Sequence, residues 1–129
     1  MRDIPPYESG VVFLPCADPG RTEAFYHDLL GLPVAQRQGE DVVIFDTGRG
    51  YWGFCRYADG RAPLSGPKGA CLSLNLESAE AVDAVYQALR DRCPVVHPPR
   101  RHPLFPVYSF FVTDPDGYLV EFQKTDAAW

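Results

Sequence analysis

At 129 residues the chain is long enough for one compact domain, or for two half-size modules that share a core. Its formal charge of −5 argues against nucleic acid as a partner, because acidic residues outnumber basic ones 17 to 12. The only tight basic group is Arg100, Arg101 and His102. No apolar run approaches the roughly 18 to 20 residues that cross a bilayer, so no membrane partner is expected either.

Met1 to Glu8 is polar and proline-rich, without the apolar centre of a secretory signal, which predicts a cytoplasmic protein. Cys16, Cys55, Cys71 and Cys93 are scattered and form no CxxC pair. Zinc-ribbon and redox motifs are therefore not expected, and most of these cysteines read as small buried hydrophobes in a reducing compartment.

In chain order, Gly10 to Cys16 reads as a strand, rich in β-branched and aromatic residues. Asp18 supplies an N-cap and Pro19 a first helical residue. That helix runs to about Leu30, with Phe25, Leu29 and Tyr26 as candidates for burial and Gly31 as its C-terminal cap. Three strands follow at Pro33 to Gln38, Asp41 to Asp46 and Tyr51 to Tyr57. Residues 58–69 carry too many Gly and Pro for an element and read as a linker. The order then restarts: Ala70 to Leu76 as a strand, Ser78 capping a helix that buries Val82, Val85, Tyr86 and Leu89, and strands at Pro94 to His97, Val107 to Thr113 and Tyr118 to Lys124. Pro98 to Pro106 reads as a long loop.

Both halves thus run strand, helix, three strands, and each closes on a similar hairpin. The expected fold class is α+β: two βαβββ modules, about 10–57 and 70–124 within a single domain. They would pair as an incomplete barrel whose concave cleft takes a ligand.

Two motifs carry a family resemblance: Ala17-Asp-Pro-Gly-Arg-Thr-Glu-Ala-Phe-Tyr-His-Asp-Leu-Leu-Gly-Leu32 around the first helix, and Asp114-Pro-Asp-Gly-Tyr-Leu-Val-Glu-Phe-Gln123 at the closing hairpin. With the order of elements from about Gly10 to Lys124, the chain resembles the vicinal oxygen chelate (glyoxalase/bleomycin-resistance/dioxygenase) superfamily. The resemblance is specific for fold and not for activity, since that family spans isomerases, dioxygenases, thiol transferases and metal-free drug-binding proteins. It also implies a homodimer, because members pair the first half of one chain with the second half of another.

In metal-dependent members, one ligand, usually His, Gln or Glu, comes from the first and last strand of each half. Carried over, the positions are Val11, Phe54 (Gly53 after a one-residue slip), Cys71 and Glu121. Two of these four cannot coordinate an ion, so no metal cofactor is expected. The alternative is one divalent ion held by Glu121 with His97 or His102, serving a lyase, isomerase or dioxygenase.

Period-two alternation then names the side chains of the cleft. The apolar set Leu72, Leu74 and Leu76 faces the helix, so Cys71, Ser73 and Asn75 face the cleft. Leu119, Glu121 and Gln123 join them from the last strand, Val11, Phe13 and Pro15 from the first, and Trp52, Phe54 and Arg56 from the fourth. Arg100, Arg101 and His102 read either as a basic lid over the mouth that attracts an anionic ligand or as an exposed solubilising loop. Glu121 is the candidate general base, since a carboxyl half-buried among aromatic rings has its pKa raised. One apolar wall and one polar wall suit an aromatic or amphipathic small molecule, and sequestration of such a ligand is the expected function.

Gly48-Arg-Gly-Tyr-Trp-Gly53 matches a dinucleotide-binding pattern but opens no helix, and Asp114-Pro-Asp-Gly117 lacks calcium-loop spacing. Both read as hairpin turns.

Overall fold

The computed structural model describes residues 3–66 and 69–128. Residues 67 and 68 of the expected linker, and the first two of the N-terminal stretch, lie outside that range. The first half of the chain forms β1 (Val11–Pro15), α1 (Pro19–Glu23) continuing as a π-helical stretch (Ala24–Leu29), β2 (Val34–Gln38), β3 (Val42–Asp46) and β4 (Tyr51–Cys55). The second half repeats the order with β5 (Cys71–Asn75), α2 (Ala79–Leu89), β6 (Val95–Arg101), β7 (Val107–Thr113) and β8 (Leu119–Thr125). The chain divides into two compact units between Pro63 and Leu64. Each holds one open, mixed sheet, ordered β1-β4-β3-β2 in the first and β5-β8-β7-β6 in the second. The expected α+β class and the two βαβββ modules are what the structure shows.

Local chemistry starts the helices. The Asp18 carboxylate accepts from the N–H groups of Gly20 and Arg21, and Pro19 occupies the first turn, where a missing N–H costs nothing. The Ser78 hydroxyl accepts from the Ala81 N–H and does the same for α2. The first helix then widens: Leu30 N–H bonds the Phe25 carbonyl, and Gly31, at φ +82°, ends it. With this wider turn, Tyr26 and Phe25 are buried while Leu29 is only half-buried.

Each core lies between a helix and one face of its own sheet. In the first unit Tyr26 stacks on Phe54 at 4.7 Å and meets Phe45 at 5.4 Å. In the second, Phe110 stacks on Phe122 at 5.1 Å, and Tyr86 of α2 meets Phe110 edge-on. The other face of each sheet is left open by its helix, and the candidate sites lie there.

One expected loop is mostly strand. Pro98, Pro99, Arg100 and Arg101 extend β6, and only His102 to Pro106 remain as a connection. β6 is an edge strand, where a proline's missing N–H costs no ladder bond. Register shifts on both sides of His97 absorb the mismatch with β7.

Candidate functional site

The two units match pair by pair. In the first, Val11 stands opposite Tyr51, Phe13 opposite Gly53 and Pro15 opposite Cys55. In the second, Cys71 stands opposite Leu119, Ser73 opposite Glu121 and Asn75 opposite Gln123. Side chains directly opposite share a face. The Phe13–Gly53 pair therefore holds the place that Ser73–Glu121 holds in the other unit.

This register corrects the expected fourth-strand face. Trp52 pairs with Val12 and Phe54 with Leu14, so both rings turn toward the helix. Trp52 meets Tyr26 edge-on at 6.2 Å, and Phe54 is 0% exposed. Neither lines the open face. The cause is turn length. Thr47 N–H bonds the Gly50 carbonyl around two residues, whereas Asp114 N–H bonds the Tyr118 carbonyl around three. Laying Gly50-Tyr51 on Gly117-Tyr118 thus slips the strands by one residue and flips every side chain. Arg56 is also reassigned, because its guanidinium pairs with exposed Asp41 at 2.9 Å.

On the first unit's open face lies a groove of about 450 Å³, lined by Val11, Phe13, Ile44 and Tyr51 with the amides of Gln36 and Gln38. The Phe13 ring covers Gly53, and a Cβ at Gly53 would come within 2.6 Å of two ring carbons. Glycine is what lets the ring lie on the strand. The Gln38 amide donates to the Gln36 carbonyl at 2.7 Å, so the groove offers polar groups but no charge.

The second unit's open face is polar on β5 and β8. Ser73 donates to Glu121 Oε1 at 2.7 Å, and the Gln123 amide donates to Asn75 Oδ1 at 2.8 Å. The Cys71 thiol lies 3.7 Å from the Ser73 hydroxyl. Burial pushes that thiol up, the Ser73 hydrogen bond opposes the shift, and the Glu121 charge adds to it. Leu119, opposite Cys71, is half-buried. A pocket of about 370 Å³ runs from Glu121 and Gln123 to Phe111, Val107, Phe105 and His102. Arg101 takes no part in it: it pairs in register with Tyr108, and its guanidinium holds Asp126 through both carboxylate oxygens. Of the residues expected in a lid, His102 lines the pocket and Arg101 does not.

Ile44, Tyr51 and Phe111 are not among the residues expected from sequence, and Gly53 is there only as the one-residue alternative to Phe54. The unequal turns were the available signal, since Gly117 takes φ +90° inside its turn while Gly50 flanks one. The Asp114 carboxylate accepts from the N–H groups of Asp116 and Tyr118, as an Asx-type turn requires.

The residues present do not fit a metal ion. With Gly53 in place of Phe54, the four family positions are Val11, Gly53, Cys71 and Glu121, still with two that cannot ligate. His102 Nδ1 accepts from the N–H groups of Leu104 and Phe105, which leaves the ring proton on Nε2 and no free lone pair. His97 donates from Nδ1 to the Pro98 carbonyl, stands against Phe111 and does not line the pocket. Among the described residues no three His, Cys, Asp or Glu side chains come together as a metal site. In the same range, no helix is long and apolar enough to cross a membrane.

The chain is similar to several solved structures. A lactoylglutathione lyase from Agrobacterium tumefaciens is 26% identical over 94% of this chain and 96% of its own, with a TM-score of 0.73. A glyoxalase/bleomycin resistance protein/dioxygenase from Alicyclobacillus acidocaldarius is 20% identical over 93% and 92%, with a TM-score of 0.73. A glyoxalase-related enzyme from Fulvimarina pelagi is 18% identical over 92% and 88%, also with a TM-score of 0.73. The last two likenesses show the fold alone. No curated protein matches. The model of the Glyoxalase/Bleomycin resistance protein/Dioxygenase superfamily matches residues 9–122, nearly the whole chain, and the chain belongs to that superfamily.

Proposed function

We propose that this protein binds a small aromatic or amphipathic molecule without a metal ion and sequesters it on the open faces of its sheets. The Phe13–Gly53 pair carries this reading. Where the second unit has a hydroxyl and a carboxylate, the first has an aromatic ring on bare backbone, so its groove offers apolar contact and no charge. Grooves of a few hundred Å³ suit small molecules. Glu121 and Gln123 add polar anchoring, and Glu121 is the group that would accept a proton from a bound molecule.

A homodimer belongs to the same proposal, because edge strand β1 leaves Val11, Val12 and Phe13 exposed. The free thiols of Cys55, Cys71 and Cys93 suit the reducing cytoplasm.

Equilibrium dialysis with naphthalenemethanol, a neutral aromatic probe, tests the groove. Saturable binding that weakens about tenfold in Phe13→Ser is expected, from loss of most of a ring's contact area. Absence of binding overturns the reading. Native mass spectrometry after dialysis against manganese, nickel, zinc or iron tests metal independence. One tightly held ion per chain would move the protein to the metal-dependent lyases, isomerases and dioxygenases, the direction in which its likeness to a lactoylglutathione lyase points.

A further inference from the structure

The pocket of the second unit has walls and a floor of different character. Phe105, Phe111, Val107 and Pro106 supply apolar surface, and the half-buried Glu121 carboxylate lies among them. Among the described residues no lysine or arginine lines this pocket. Arg101 is held by Asp126, and the Lys124 ammonium donates to the Thr125 carbonyl. Arg100, on β6 opposite Ser109 of β7, is two strands from Glu121, a backbone separation of roughly 10 Å by strand spacing.

The hydrogen bonds also fix what the polar lining can offer. Ser73 occupies one oxygen of Glu121. One N–H of the Gln123 amide donates to Asn75, and the Gln123 side-chain carbonyl oxygen is left as an acceptor. The Thr125 hydroxyl donates to the Ala127 carbonyl, so only its lone pairs remain. Of the lining side chains, His102 keeps a donor on Nε2, because its Nδ1 accepts two backbone N–H bonds, and Gln123 keeps the second N–H of its amide. The pocket is therefore rich in acceptors, carries one anion, and has aromatic faces beside that anion.

We propose that this pocket is a cation subsite that takes the protonated amine of a ligand whose body is aromatic. The ammonium donates to Glu121 and the Gln123 carbonyl, while the body packs on Phe111 and Phe105. A carboxylate half-removed from water gains most from a full positive charge, and aromatic faces add attraction for the same charge. The subsite rests on the binding reading above and narrows its ligand to an amine.

Two matched probes separate the claims: naphthylmethylamine, protonated at neutral pH, and naphthalenemethanol, its neutral counterpart. The amine is expected to bind about tenfold or more tightly than the alcohol, the scale of one charge-assisted hydrogen bond. Glu121→Gln keeps the shape and an oxygen that accepts from Ser73, so it should erase that preference by weakening the amine about tenfold more than the alcohol. Comparing the two probes on the unaltered protein needs no variant, so the test survives a variant that fails to fold. Equal affinity for both probes, or a preference that persists in Glu121→Gln, overturns the cation subsite and leaves the binding reading standing. Failure of both probes to bind overturns the two together.

Discussion

The two units share one backbone plan and differ in how they use its two faces. Toward the helix they are alike. Phe54 and Phe122 hold matching register positions, opposite Leu14 and Leu74, and each is a buried ring stacked on another aromatic. On the open face they part. Phe13–Gly53 is apolar and uncharged, and Ser73–Glu121 is hydrogen-bonded and anionic. The difference has a physical basis. A helix must be sealed onto a sheet in both units, and interiors packed to crystal-like density tolerate few solutions. The open face has no helix to satisfy, so its chemistry can diverge without cost to the fold.

The largest expected effect tests the likeness of the cores. Phe54→Ala and Phe122→Ala should each cost about 3 to 5 kcal/mol, read from urea unfolding, because each leaves a cavity. A loss near 1 kcal/mol for Phe54→Ala alone would break the equivalence and return that ring to the open face.

The next test addresses the difference between the open faces. Gly53→Ala puts a Cβ into the Phe13 ring and should cost about 1 to 2 kcal/mol as an overpacked site. In a Phe13→Ala background the same change should cost almost nothing, since contacting residues are not additive. An equal cost in both backgrounds would mean that the glycine serves the strand backbone instead of the ring.

The helix starts are compared by Asp18→Ala and Ser78→Ala, each expected to cost about 1 kcal/mol. Asp18 should cost more, because it accepts from two N–H groups where Ser78 accepts from one. The reverse order in thermal melts would show that the widened first helix is held by packing instead of its cap.

The smallest effect is in pH dependence. In the first unit the Arg37 hydrogen bond holds Glu23 below the ordinary carboxylate range, and Arg61 does the same for Asp59. Their contribution is complete above the ordinary values, about 4, and is lost as pH falls through the lowered ones. In the second unit burial raises Cys93 and, with the Glu121 charge, Cys71, and the hydrogen bond to Asp83 raises Tyr108. That contribution is complete below the ordinary thiol and phenol values, about 8.5 and 10, and is lost as pH rises through the raised ones. Acid should therefore loosen the first unit sooner and alkali the second. Amide hydrogen exchange, resolved by unit, reads the order, and a common response at both extremes would contradict it.

Much of the fold was legible before any coordinates. The Asp18-Pro19 start, the Ser78 cap and the repeated order of elements all depend on neighbours within a few residues, and local physics expresses them directly. The open face of the second unit was legible too, because Leu72, Leu74 and Leu76 form one apolar row and leave Cys71, Ser73 and Asn75 for the other side. The fourth strand was different. Tyr-Trp-Gly-Phe-Cys is apolar on both faces, so alternation carries no sign there, and the sign came from a two-residue turn set against a three-residue one. The partners of Arg56 and Arg101 and the strand running through Pro98 and Pro99 likewise depended on residues distant in sequence. Sequence by itself determined the elements and their order, because short-range contacts decide those. Only the tertiary structure decided which side chains share a face, because strand register is set by long-range pairing and shifts every residue together.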